Sequence, residues 1–396
     1  ATPPTEPTPV STGPADPDGP VGATTAPTTV QAPTGTSTTT PPATPTTSPP
    51  PATTVARGPA PACDPPARGG DPVPWDPTAT ETAVDLRTGS DRGPGVRIAE
   101  YQVPDSLGAP WSQWGRGIVL GDGRFLSAVG DHRGIDGRSF VYVYDPAAAE
   151  LERVIDVQAV VGHVAGATGY GKIHAPMLAG PCGEIYAATY WGSRRDVVDD
   201  ADYRGDVLLR IDPSEATVTD LGVIYPGHGV ASMALSPDGR LLYAEAARPQ
   251  PEGSGSFVVI DLATGDVVFA DDSDEHTGYR SIAVAADGTA YIAWRDGRLA
   301  RYDPGSNSLD VVAGRVPGGG VLRWATEPLA DGSIVAVTQR PNHFFAIGPG
   351  GELRDLGPAP GYVTSLAVSP DGSAVYFAPG AHGAGEVSGT IWQVDP

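Results

Sequence analysis

Histidine, tyrosine, arginine and tryptophan recur at one register of this 396-residue sequence. The reference points are six turn glycines: Gly123, Gly183, Gly239, Gly288, Gly332 and Gly372. Nine residues before them stand Trp114, His174, Val230, Tyr279, Arg323 and Val363. One residue later stand Gly115, Ala175, Ala231, Arg280, Trp324 and Thr364. Arg116, His228 and Tyr362 lie close by. Lys172, the only lysine, precedes His174 in the glycine-rich stretch GATGYGKIHAP. Positions that served packing alone would be small or apolar. Imidazole can take a proton and phenol can give one. Guanidinium grips carboxylates, and indole stacks on rings.

Three chemistries fit these side chains. The first is a lyase acting on an acidic polysaccharide. β-Elimination needs a base at the C5 proton, a proton donor to the leaving oxygen and a cation against the uronate carboxylate. His174 or His228 would be the base, Tyr190 or Tyr279 the acid, and Arg280 or Arg323 the clamp. Trp191, Trp294 and Trp324 would stack on sugar rings, with Lys172, Arg116 and Tyr362 as further ligand contacts. The second is a divalent metal site, for a transition metal on His132, His174 and His228. No H-x-H or HExxH spacing supports it, so it would rest on convergence in space. The third is a non-catalytic surface scaffold that binds a glycan or a protein. His163 lies in a long connection, where a lone histidine is more often structural. No G-x-S-x-G elbow, Ser/His/Asp order, GxGxxG or P-loop is present, which disfavours hydrolase and nucleotide readings.

These residues need a scaffold that brings distant segments to one place. Two signatures repeat six times. The first is an apolar strand, an Asp-Gly-type turn and a second apolar strand, as in ASMALSPDGRLLYAEA and SIAVAADGTAYIAW. The second is an alternating strand ending in a turn, as in FVYVYDP, VLLRIDP and TIWQVDP. A further strand follows the first five. Successive turn glycines lie 60 to 40 residues apart, the size of a propeller blade. The expected fold is an all-β propeller of six four-stranded blades. The sixth unit stops after its third strand, so residues 95–104 are expected to be a lone strand that closes the ring. Seven blades are the alternative, if residues 74–90 hold more strands. A sandwich would not repeat this four-strand grammar.

Turns such as SPDGRLLY and SPDGSAVYF, followed by FVVIDLATGDVV, resemble the YVTN/SMP-30-like β-propeller superfamily over residues 95–396. That superfamily holds lactonases, lyases and binding scaffolds, so the resemblance implies fold more than function. The stretch GYGKIHAPMLAGPCGEIYAATYWG is similar in style to propeller polysaccharide lyases of the ulvan and oligogalacturonate type. These place His, Tyr and Arg over the central channel and typically have seven blades.

Residues 1–62 are dominated by Thr, Pro, Ala and Ser. Such a segment cannot bury enough apolar surface to offset its ordering entropy and reads as a disordered stalk or linker. Its composition also suits O-glycosylation. Residues 63–396 form the propeller domain. Cys63 at the junction and Cys182 in GPCGEIY are expected to form a disulfide, the alternative being two thiols. Net charge is −22, which argues against nucleic acid and anionic lipid partners. The acidic clusters at 196–206 and 271–275 read as solvated loop charge, with loop Ca²⁺ the alternative. No apolar run reaches the roughly 18 residues of a transmembrane helix. A start at Ala1 fits a processed chain, expected to be secreted or held at the cell surface by a lipid or wall anchor.

Overall fold

The computed structural model describes residues 69–396 apart from 78, 83–84, 89–96, 101–112, 132, 194–195, 198–201, 251–253, 278–280, 380–391 and 395–396. The chain opens with four short strands: β1 (Val73–Pro74), β2 (Ala79–Thr82), β3 (Asp85–Thr88) and β4 (Arg97–Glu100). Blade one follows as β5 (Ile118–Val119), β6 (Phe125–Gly130), β7 (Ser139–Asp145) and β8 (Glu150–Asp156). One short helix, α1 (Val157–Val161), leads to blade two. Asp156 caps its start, and Gly162 ends it at φ 65°.

Blade two is β9 (Leu178–Ala179), β10 (Ile185–Ala188), β11 (Val207–Asp212) and β12 (Thr217–Val223). Blade three is β13 (Gly229–Leu235), β14 (Leu241–Ala247), β15 (Gly255–Asp261) and β16 (Asp266–Asp271). Blade four is β17 (Ile282–Val284), β18 (Ala290–Ala293), β19 (Leu299–Asp303) and β20 (Ser308–Val311). Blade five is β21 (Val321–Ala325), β22 (Ile334–Gln339), β23 (His343–Ile347) and β24 (Leu353–Pro358). Blade six contributes β25 (Val363–Val368), β26 (Val375–Pro379) and β27 (Trp392–Val394). Each blade is an antiparallel meander, and the six make a β-propeller. The innermost strands β13, β17, β21 and β25 pack beside one another in chain order.

The repeated turns do what their sequence predicts. All six glycines have positive φ, between 68° and 90°, where a Cβ would be strained. In five of them the preceding aspartate accepts a backbone N–H two residues on, as Asp122 does from Arg124 at 3.0 Å. Blade two has Cys182 at that position, and its own N–H donates to Glu184 Oε2 at 3.0 Å.

Propeller sheets are buried on both faces, and strand alternation feeds two apolar layers at once. In β14, Leu242, Ala244 and Ala246 pack towards blade two, while Leu241 and Tyr243 pack towards blade four. Such layers fill five junctions between consecutive blades among the described residues.

The N-terminal strands correct one expectation. Residues 97–100 are not a lone strand. They pair with Asp85–Thr88 as a two-stranded sheet. No pairing of β4 with β27 occurs among the described residues, so the expected closure of the ring by residues 95–104 is not seen among them. Residues 74–90 do hold extra strands, but these add to existing blades. β1 extends the outer edge of blade two, pairing Val73 with Val218. β2 extends blade one, from Ala79 opposite Arg153 to Thr82 opposite Glu150. No seventh blade arises among the described residues. The stalk at 1–62 and Cys63 lie outside the described residues, so the Cys63–Cys182 pairing does too. No helix among the described residues is long and apolar enough to cross a membrane.

Candidate binding site at the channel mouth

The segments that lead into the innermost strands of blades one and two are zipped together. Gly115 N–H donates to the Ile173 carbonyl at 2.9 Å, and Met177 N–H to the Arg116 carbonyl at 3.0 Å. Gly115 is required there, because a Cβ would sit 2.3 Å from the Ala175 carbonyl oxygen. This zipper sets Trp114 parallel to His174, with ring centroids 6.0 Å apart. Tyr190 stacks on His174 at 4.7 Å. The Lys172 ammonium lies 4.8 Å from the Trp114 ring centre and 5.8 Å from that of Tyr190. Lys172 is itself buried, 2% exposed, and bridges Tyr190 through its backbone. His174 Nδ1–H donates to the Ala231 carbonyl at 2.7 Å, which puts the imidazole lone pair on Nε2.

Blades five and six complete the mouth. The Arg323 guanidinium sits 5.0 Å from the centre of the Tyr362 ring. The Arg116 guanidinium sits 5.9 Å from the centre of the Trp324 ring. Blades one and five are not neighbours in the ring, so this last contact reaches across the channel. Arg116 is exposed. Other arginines of this acidic chain, such as Arg124, Arg133, Arg138, Arg240 and Arg298, are paired with aspartates. None of the ion pairs among the described residues uses Arg116. The mouth therefore presents an exposed guanidinium against an indole, with Lys172 and Arg323 set on aromatic faces around it.

Several expected site residues stand elsewhere. Trp191 is 2% exposed, wedged against Gly229, Tyr203 and Val197. It supports Tyr190 from behind, with centroids 4.5 Å apart, and has no face left for a sugar. His228 Nδ1–H donates to the Pro226 carbonyl at 2.7 Å, and the Ser256 hydroxyl faces its Nε2 at 3.3 Å. Both ring nitrogens meet partners outside the His174 cluster, and no ring contact joins His228 to that cluster among the described residues. Burial, above all, holds the His228 imidazole below its ordinary pKa. Trp294 sits at blade four, covered by Arg298 on one face and met at right angles by the buried His276. His132, Tyr279 and Arg280 lie outside the described residues. No group of three or more metal-ligating side chains comes together among the described residues.

The acidic clusters are less solvated than their sequence suggests. Asp206, at the end of the first, is fully enclosed, because the strand it leads into is covered on both sides. Thr189 Oγ1 and the Tyr203 hydroxyl donate to its two oxygens at 2.7 and 2.6 Å. Burial is the largest influence on it and pushes its pKa up to about 7. In the second cluster, His276 Nε2 meets Asp271 at 2.9 Å, while Tyr225 and Arg248 hold Asp272. Asp206, Tyr203 and His276 carry no sequence signal of their own. Their burial is a product of blade packing.

No protein-family model and no curated protein matches this sequence. Among solved structures the chain is similar to a virginiamycin B lyase from Staphylococcus aureus, at 11% identity and a TM-score of 0.47. The match covers 72% of this chain and 88% of that one. It is also similar to the periplasmic gluconolactonase PpgL of Pseudomonas aeruginosa, at 17% identity and a TM-score of 0.46, over 80% and 95% of the two chains. The Dos1 propeller matches at 12% identity and a TM-score of 0.46, over 71% and 66%. Likeness at this level carries nothing about what this chain binds.

Proposed function

We propose that this protein is an extracellular propeller that binds an acidic carbohydrate, or another ring-bearing polar acid, over its central channel. The observation that carries this reading is Arg116, an exposed guanidinium laid across the channel on Trp324 and used in no ion pair among the described residues. A carboxylate entering there gains a charge-assisted hydrogen bond, and the indole offers a face to a sugar ring. Lys172 and Arg323 add positive charge at the same end of a chain whose overall net charge is −22. Calorimetric titration with tri-galacturonate and with its neutral counterpart, tri-galactose, tests the reading. Binding of the acid alone, weakened about tenfold or more in Arg116→Ala, supports it; equal binding of both sugars, or of neither, defeats it. The stalk would tether the propeller at the cell surface, with a Cys63–Cys182 bridge at the junction.

A lyase is a second reading, favoured by the tautomer of His174. Nε2 carries the lone pair, and Tyr190 is stacked alongside. His174 would take the C5 proton and the C–H electrons would form the C4=C5 bond. The C4 oxygen would then leave with a proton from Tyr190. Appearance of C=C absorbance from polygalacturonate, abolished in His174→Ala, would support this reading. Binding without any new double bond would leave the propeller a scaffold.

A further inference from the structure

Behind the mouth lies a buried acid that the proposed function leaves unused. Asp206 accepts from Thr189 Oγ1 and from the Tyr203 hydroxyl, and the Trp191 main-chain N–H adds a third favourable contact. None of the ion pairs among the described residues neutralises it. Tyr203 has a second acceptor within reach, the His228 carbonyl oxygen at 3.2 Å. The same carbonyl receives the Asp206 backbone N–H at 2.8 Å. These groups have two hydrogen-bond registers. With Asp206 charged, the Tyr203 hydroxyl donates to its Oδ2. With Asp206 protonated, the new carboxyl O–H donates to the Tyr203 oxygen, and the Tyr203 hydroxyl turns to the His228 carbonyl. One proton enters from solvent, and no other covalent bond changes.

Ring packing connects Tyr203 to the mouth. Its edge meets Trp191 with centroids 6.1 Å apart, Trp191 leans on Tyr190, and Tyr190 stacks on His174. Gly229 leaves little slack, since even a Cβ there would come within 2.5 Å of the Trp191 ring. We propose that Asp206 and Tyr203 form a two-register relay that sets the pose of the Trp191–Tyr190–His174 shelf. Asp206 is then a positioning residue for a ligand it does not touch, a consequence that rests on the acid-binding reading above.

The groups facing the relay come from four segments. Tyr203 belongs to its own, while Thr189, Tyr190 and the Trp191 N–H come from the end of β10. The His228 carbonyl comes from the β12–β13 connection, and Tyr170 from the connection before blade two, with Arg204 on its hydroxyl and Asp220 beyond. The imidazole of His228 is turned away to Pro226 and Ser256. Burial raises the Tyr203 phenol well above its ordinary range, so of these two hydrogen-bonded partners it is the carboxyl that changes charge near neutrality.

The test follows the Tyr190 and Trp191 ring signals by NMR from mildly acidic to mildly alkaline pH, in wild type, Asp206→Asn and Tyr203→Phe. D-Galacturonate is titrated calorimetrically at each pH. In wild type the ring signals should move together with a midpoint near 7. Affinity should change about fivefold or more over the same window. Both should be flat in each variant, and Tyr203→Phe alone suffices if Asp206→Asn does not fold. Ring signals that ignore this midpoint, or follow it equally in Tyr203→Phe, overturn the relay. Ring signals that follow it at constant affinity overturn the positioning role. If wild type binds no acid at any pH, the ligand reading fails, and the ring signals alone decide the relay.

Discussion

Asp206→Asn should stabilise the protein at alkaline pH and bring no such gain in acid. The carboxyl is enclosed, and burial raises it from 3.8 to about 7. A raised acid means that the folded chain holds the proton more tightly than the unfolded one. The stability tied to that proton is fully present below 3.8, declines as pH rises, and is lost once pH passes about 7. A gap of roughly 3 pH units, at about 1.36 kcal/mol each, is on the order of 4 kcal/mol. Asparagine keeps the shape and cannot ionise, so the variant escapes this loss. Urea unfolding of both proteins at a series of pH values measures it, and their difference cancels the other titrating groups. The difference should climb at a slope approaching about 1.4 kcal/mol per pH unit and level off near neutrality. A constant offset from exchanging a hydroxyl for an amide does not matter. A difference flat in pH would refute the burial argument.

Three further outcomes follow from contacts in the structure. Arg116→Ala should weaken acid binding by about tenfold or more, from loss of a charge-assisted hydrogen bond, and leave the melting temperature unchanged because the side chain is exposed; calorimetry and a thermal scan check both halves. Gly229→Ala should cost about 1–3 kcal/mol in urea unfolding, since its Cβ would press into the enclosed Trp191 ring. Tyr243→Phe should cost about 1–3 kcal/mol by the same assay, because it strips the hydrogen bond from a buried hydroxyl to the Gly288 carbonyl at 2.7 Å, across the junction of blades three and four.

The repeat grammar was legible because each blade reuses one physical device. An Asp-Gly turn needs positive φ, and Gly123 through Gly372 all adopt it. Part of the mouth was legible for the same reason. Alignment on those glycines brought Trp114, His174, Arg323 and Trp324 to one register; in the structure Trp114 stacks on His174, Arg323 lies over Tyr362, and Arg116 reaches Trp324. The N-terminal strands were not legible. β1 and β2 are two and four residues long and have no alternation of their own. They exist because the outer edges of blades two and one offer them backbone partners. The interior roles of Trp191 and Asp206 were hidden too. Aromatic and acidic side chains read alike in sequence at a mouth or behind it, and only the packing of Gly229 and β11 decides between them.

The ligand proposed for the channel mouth is an acidic, ring-bearing molecule held by Arg116 and Trp324. A crystal structure of the protein with tri-galacturonate tests it most directly. The expected result is a sugar ring against Trp324 and a uronate carboxylate within hydrogen-bond distance of the Arg116 guanidinium. A ligand bound at the rim of the blades, with Arg116 still lying on Trp324, would contradict it.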